Sequence, residues 1–280
     1  MTKYIDAHVH PPVPQLLAGP IAPYLNDLRS FLSEPIVAQE PAEIAEFFRS
    51  RDAKAVLLGW NSLPGSGRRP LGNQDIATLV EFAPDVFYGF GAVDPSGGAS
   101  AVAAVHQAAR LGLSGLAFHP AAEHVAPSDR EGRQFWETAA EHQLVCLIHT
   151  GFTRLGAGAP GGGGVGLEQS RPIHVDRVAA SFPSLKIILA HTGRLWLDEA
   201  IAVSVHKSNV HLCLSGISPK AMDAELLDLI RGPLQSRVHF GSDYPFGSPD
   251  AWIEEWESLG LSEEISRAVL VDNVSRLLAR

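Results

Sequence analysis

Two histidines one residue apart, His8 and His10, close an apolar run early in the chain, "KYIDAHVH" (residues 3–10). Residues i and i+2 of a strand point to the same side, so both imidazoles share one face while Val9 takes the other. Other apolar runs finish in the same way. His119 ends "LSGLAFHP" (113–120), His149 stands near the end of "LVCLIHTG" (144–151), His191 near the end of "LKIILAHTG" (185–193), and Asp243 near the end of "RVHFGSDYP" (237–245). A lone histidine at a strand end is ordinarily a hydrogen-bonded structural residue. Four such strand ends supplying histidines, with one aspartate, form a donor set of imidazole and carboxylate that suits Zn²⁺ and its first-row neighbours. The chemistry expected is that of a metal centre.

The ligand supply also bears on the number of ions. Barrel sites that hold two metals in this manner bridge them with a carbamylated lysine at a strand end. The lysines here are Lys3, Lys54, Lys186, Lys207 and Lys220, and none ends a run, so one ion is expected.

Positioning such a set requires several strands whose ends meet. The runs named above, together with "AKAVLLGW" (53–60), "VFYGFGAV" (86–93) and "NVHLCLSG" (209–216), make eight short segments bounded by Gly, Pro or polar residues. Each is apolar on both faces, as strands of an all-parallel sheet are. Between them lie amphipathic patterns such as "ASAVAAVHQAARLG" (99–112) and "REGRQFWETAAEHQ" (130–143). Eight strand–helix units predict the α/β class, a single (β/α)8 TIM barrel over 1–280 as one domain, with lid insertions in the βα loops. The insertions are residues 11–40, with apolar positions Leu16, Ile21, Tyr24, Leu25, Leu28 and Phe31, and residues 61–75. An open doubly wound sheet would place a Gly-rich phosphate turn after the first strand. That strand instead runs into "PPVP", and the later "GAGAPG" (156–161) carries Pro160 and opens no helix pattern.

Composition narrows the function classes. Of 280 residues, 45% are hydrophobic and 19% charged, without an apolar run long enough to cross a bilayer, so no membrane role is expected. A formal net charge of −9 argues against a nucleic-acid partner, which needs clustered Lys and Arg. Cys146 and Cys213 both lie in apolar runs and read as reduced core thiols, and no secretory leader is apparent, so a cytoplasmic location is expected. The partner expected is a small-molecule substrate; the apolar segment 11–40 makes a homodimer plausible.

The combined motifs, HxH in the first strand, "HTG" after the fifth, "LAHTG" after the sixth, "GSDYPF" at the eighth and the late "DNVSRLL", resemble the amidohydrolase superfamily. Within it they look like the amidohydrolase-related group that contains aminocarboxymuconate semialdehyde decarboxylase-like proteins. The resemblance implies a barrel with one divalent ion, Zn²⁺ first and Mn²⁺ or another first-row metal next. It implies His8, His10, His149 and Asp243 as ligands, and His191, with Asp243, as the catalytic pair. One position departs from the group: where relatives read "GLKFHP" at the fourth strand, this chain has Ala117 in place of the lysine.

Two chemistries fit these residues. In hydrolysis of a C–O or C–N bond of a lactone, ester or amide, an ion-acidified water attacks the carbonyl, Asp243 relays its proton and His191 polarises the carbonyl or leaving group. In non-oxidative decarboxylation of a muconate-type or aromatic acid, the ion anchors a carboxylate or phenolic oxygen and His191 or metal-bound water helps protonate the carbon that loses CO₂. A barrel that binds metal and ligand without chemistry is the third reading. Hydrolysis is preferred by analogy with the wider superfamily.

Among the loop arginines Arg68, Arg69, Arg154, Arg171 and Arg194, one or two are expected to meet a substrate carboxylate, with Arg171 singled out. Phe152, Trp196 and His119 complete the expected substrate contacts, while Trp60 and Phe246 are further candidates for an apolar wall. His106, His142 and His206 read as surface residues, His239 as a buried neutral ring, and Asp94 as a helix cap before Pro95.

Overall fold

The computed structural model describes residues 2–29, 32, 35–61 and 66–279. Eight parallel strands follow one another around a single sheet in chain order: β1 (Tyr4–Val9), β2 (Ala53–Leu58), β3 (Phe87–Ala92), β4 (Gly115–Phe118), β5 (Val145–His149), β6 (Ile187–Ala190), β7 (Val210–Cys213) and β8 (Val238–His239). A helix follows each strand, from Pro41–Arg49 after β1 to Pro249–Ser258 after β8. The ring closes through backbone bonds from Ala7 N–H to Phe240 O (3.0 Å) and from Asp243 N–H to His8 O (3.1 Å). The architecture is a (β/α)8 barrel. β8 is shorter than its apolar run, because from Phe240 onward the backbone bonds to β1 and to Val269 rather than extending a ladder with β7.

Local signals start the helices. Glu40 and Glu43 form a reciprocal capping box ahead of Pro41–Arg49, and Pro41 occupies the first turn, where its missing N–H costs nothing. Asp223 accepts Leu226 N–H at 2.8 Å to cap Ala224–Arg231. Asp94 accepts from Ser96 N–H at 2.8 Å before the short turn Pro95–Gly97, the capping role expected of it.

The strand residues divide between two cores. Ile5, Ala7, Val56, Leu58, Phe90, Ala117, Leu147, Ile188 and Cys213 fill the barrel interior, joined by Val274 and Leu278 of helix Asn273–Leu278. The alternate positions, such as Leu57, Leu116 and Leu189, pack outward beneath the helices. Trp136 lies fully buried in that outer layer, where truncation to Ala would cost about 3–5 kcal/mol. Cys146 and Cys213 are buried and unpaired.

The two insertions pack on each other. Leu16, Ile21, Tyr24 and Leu28 are buried, and Arg68 donates from Nη1 to Ala18 O at 3.0 Å. Phe31 and residues 62–65 lie outside the described residues. No helix among the described residues is long and apolar enough to cross a membrane.

Candidate metal centre

Nε2 of His8 and Nε2 of His10 lie 3.0 Å apart, and Oδ1 of Asp243 is 3.3 Å from the first and 3.5 Å from the second. Among the described residues these three form the group whose donor atoms all lie within 4.8 Å of one another. Both histidines are buried, and Asp243 is partly covered. Burial holds His8 well below the ordinary imidazole pKa, so its ring is neutral. Burial alone would raise Asp243, but the imidazoles of His8, His10 and His191 outweigh it and keep the carboxylate ionised. Imidazole nitrogens and a carboxylate oxygen crowded this closely are the donor chemistry a divalent cation satisfies.

The backbone reaches this arrangement by departing from regular strand geometry. Strict alternation from Ile5 would send Ala7 and Val9 inward and His8 outward. The β1–β2 register shifts between Asp6 and Val9, and past that point His8 and His10 line one small internal pocket while Val9 packs outside. His191 follows interior Ala190 directly, out of phase, and is brought around by a left-handed backbone (φ 65). Asp243 is left-handed as well (φ 62). His and Asp tolerate this region better than most residues, though at a cost that tends to be retained where function requires it.

Asp6, to which sequence reading gave no role, locks the two ends of the site together. Its Oδ1 accepts the backbone N–H of His8 (3.1 Å) and of Ser242 (2.9 Å), and Ser242 Oγ–H donates to its Oδ2 at 2.5 Å. Burial raises its pKa to about 7, with the Ser242 and His8 bonds acting against the rise. The available signal was a carboxylate inside an apolar run, which must find partners when buried.

His149 ends β5 as expected but falls outside the three-residue group. Its Nε2 is buried and has no hydrogen-bond partner, and burial holds the ring neutral. His149 stacks on His119, with ring centroids 3.9 Å apart and planes 13° from parallel, and Trp60 stacks on the other side of His119 at 5.7 Å and 15°. His119 Nδ1 accepts Ala122 N–H at 3.3 Å, which puts the proton of the neutral ring on Nε2, 3.4 Å from Thr153 Oγ1.

His191 lies with its ring centroid 4.5 Å from that of His149 and 5.0 Å from that of His8. Its Nδ1 lies 3.0 Å from the carbonyl of Ser215, which only accepts, and 3.2 Å from the Ser215 hydroxyl; the shorter contact assigns the proton to Nδ1, donating to the carbonyl. The neutral ring therefore offers a lone pair, not a proton, at Nε2. Polarising a carbonyl, the role read from sequence, would require a second proton on His191; His119 already carries an N–H at Nε2.

A cavity of about 700 Å³ opens beside these groups. His10, His119, His149, His191 and Asp243 line one part of it, and Trp60, Phe152, Phe246 and Trp252 supply aromatic walls. Of the loop arginines, Arg154 and Arg194 line the cavity. Arg171 and Trp196 are not among the lining residues. The Arg171 guanidinium pairs with Glu199 and lies 5.9 Å from the centre of the Trp196 ring. No signal in the sequence marked Glu199 as the partner that holds Arg171 there.

Several polar groups support the site from behind. Glu123 is buried, accepting His119 N–H at 3.0 Å and Asn61 Nδ2–H at 2.9 Å, and burial raises its carboxyl to about 8. Deeper in the barrel His239 pairs with His211 at 2.9 Å, both rings held neutral chiefly by burial. His106 pairs with His142 at 2.7 Å on the helical layer, away from the cavity.

The pattern of the family described as Amidohydrolase matches residues 5–280. No curated protein sequence matches the chain significantly. Among solved structures, a TIM-barrel protein from Bordetella bronchiseptica superposes with a TM-score of 0.79 at 20% identity, covering 98% of each chain. A dihydroxybenzoic acid decarboxylase from a Polaromonas species, solved with manganese and the inhibitor 2-nitroresorcinol, gives 0.70 at 17% identity, covering 99% of this chain and 97% of that one. A probable 2-pyrone-4,6-dicarboxylic acid hydrolase from Acinetobacter baumannii gives 0.69 at 13% identity, covering 99% of each. At these identities the superpositions speak to the fold.

Proposed function

This chain belongs to the amidohydrolase family, and from that premise we propose that it is a mononuclear metal-dependent hydrolase cleaving a C–O or C–N bond of a small carboxylated substrate. The observation that carries the reading is the convergence of His8 Nε2, His10 Nε2 and Asp243 Oδ1, with His10 and Asp243 lining the cavity. His8, His10 and Asp243 would hold one divalent ion, Zn²⁺ first, with the unpartnered Nε2 of His149 as the fourth donor. Such an ion supplies Lewis acidity, acidifying water and polarising a substrate oxygen.

The protein's own groups handle protons and orientation. Ionised Asp243 takes a proton from the attacking water and returns it to the leaving oxygen or nitrogen. His191 accepts a hydrogen bond at Nε2, since its Nδ1 proton is committed to Ser215. His119 donates from Nε2 toward the substrate oxygen that gains charge. Arg154 and Arg194 meet the substrate carboxylate, and Trp60, Phe152 and Phe246 cover its apolar part.

The aromatic lining favours one second reading, non-oxidative decarboxylation of a planar aromatic or muconate-type acid. The solved relatives include proteins whose names carry each chemistry. The deciding experiment loads purified protein with Zn²⁺ or Mn²⁺ and offers carboxylated lactones and dihydroxybenzoates in isotopically heavy water. Heavy oxygen in the product supports hydrolysis; release of CO₂ without it rejects hydrolysis in favour of the lyase. Full activity after exhaustive chelation would overturn both.

A further inference from the structure

Ser215 is completely buried just beyond β7, 207 residues along the chain from His8, and its side chain is given no step in the chemistry above. Its hydroxyl lies 2.9 Å from Nδ1 of His8 and accepts the backbone N–H of His191 at 3.2 Å. Its carbonyl takes Nδ1–H of His191 at 3.0 Å. The next residue, Gly216, has φ +71, and a Cβ there would stand 2.6 Å from Nδ1 of His191. One short turn thus touches the Nδ1 edge of two histidines whose ring centroids lie 5.0 Å apart.

Counting protons gives the contact its meaning. A neutral imidazole carries one N–H, and the hydrogen bond made by one nitrogen decides the state of the other. Nε2 of His8 faces Nε2 of His10 and the ionised carboxylate of Asp243. To serve a cation, that Nε2 must be bare, which places the proton on Nδ1, against Ser215 Oγ. The hydroxyl oxygen has two lone pairs, one for the His191 backbone N–H and one for Nδ1–H of His8. A carbonyl alone could orient His191, but only the hydroxyl reaches His8.

We propose that Ser215 is a positioning residue that fixes the proton of both His8 and His191 on Nδ1, leaving both Nε2 atoms bare, an assignment that rests on the metal-centre reading. Its loss would leave His191 oriented by the backbone but free His8 to exchange tautomers. Outer partners of metal-binding histidines are commonly worth about 10- to 100-fold in metal affinity.

The test uses full-length protein with nitrogen-labelled histidine, freed of metal, at about pH 8, where neutral rings prevail. Long-range proton–nitrogen NMR should find His8 and His191 protonated on Nδ1. In Ser215→Ala, His8 should become a tautomer mixture while His191 is unchanged. Zn²⁺ affinity, read by competition with a chromogenic chelator, should fall about 10- to 100-fold, and Ser215→Thr, which keeps the hydroxyl, should recover the His8 tautomer. A proton on Nε2 of His8 in the unsubstituted protein overturns the proposal. So does a Ser215→Ala protein whose His8 tautomer and Zn²⁺ affinity are unaltered. If the unsubstituted protein takes up no Zn²⁺, the metal-centre reading fails by itself, and the tautomer comparison still decides the role of Ser215.

Discussion

The ring of His119 lies flat on that of His149, 3.9 Å between centroids, and is itself covered by Trp60. A residue at the end of β4 therefore fixes the plane of one at the end of β5. The stack restrains the plane of the His149 ring, and its buried Nε2, which has no hydrogen-bond partner, is held in that plane. Pre-set orientation of this kind lowers the cost of assembling a site when a ligand arrives.

Removing a member of the converging group should remove the ion. Asp243→Asn and His10→Ala are expected to purify with far less than one equivalent of Zn²⁺ and to lose about 10²-fold or more in turnover. Elemental analysis beside thermal melts checks this. A folded His10→Ala protein holding a full equivalent would remove His10 from the ligand set.

His191→Gln separates chemistry from binding. The variant should retain its ion and its KM while kcat drops about 10²-fold, the scale on which losing a group that orients the reacting atoms is felt. An unchanged kcat would exclude His191 from orienting the reacting atoms.

The arginines should divide by location. Arg154→Met and Arg194→Met are each expected to raise KM about tenfold, equal to about 1.4 kcal/mol of lost substrate binding. Arg171→Met should leave KM where it was, because that guanidinium is occupied with Glu199 outside the cavity. Steady-state kinetics on the substrate identified above provides the check, and a raised KM in Arg171→Met alone would reverse the assignment.

Glu123 should leave a mark on stability against pH. Its folded pKa, about 8, is above the ordinary glutamate value, so the folded state binds this proton more tightly than the unfolded chain does. The associated stability is fully present below the ordinary value, about 4.3, and is lost as pH climbs through about 8. Glu123→Gln, whose amide stays neutral and can pair with Asn61 after an amide flip, should flatten this decline. At about pH 9 it should match or exceed the parent by roughly 1–3 kcal/mol. Urea unfolding across pH measures both, and parallel curves would remove Glu123 as the cause.

Gly216→Ala tests the seat of His191 from the backbone side. The added methyl would stand 2.6 Å from Nδ1 at a left-handed position. We expect about 1–2 kcal/mol of destabilisation and a fall in kcat, with Zn²⁺ content retained. Kinetics equal to the parent would mean that the ring position does not matter.

Much of this was legible because barrels write themselves as repeated apolar runs. Each of the eight runs contains a strand, and those carrying His119, His149, His191 and Asp243 deliver them to one cavity. What stayed hidden depends on pairings between distant loops. Nothing local to "LSG" says that its hydroxyl will meet His8, and nothing near Arg171 says that Glu199 will claim it. Ser215 and Ser242 bond to His191 and to Asp6 across the barrel mouth, and nothing in their local sequence marks those contacts. The register shift in β1 was likewise invisible, because the two-residue spacing of His8 and His10 is the same on either side of it.

The bond from Asp6 to Ser242 spans 236 positions of the chain. During synthesis the paired histidines emerge early and wait through nearly the whole barrel for the carboxylate that completes their cluster. Under the proposed metal-centre reading, the nascent polypeptide has imidazoles but no finished cage until then, so uptake of an ion would belong to the last stage of maturation, and a chain truncated before Asp243 should form no such centre however many strands it has folded.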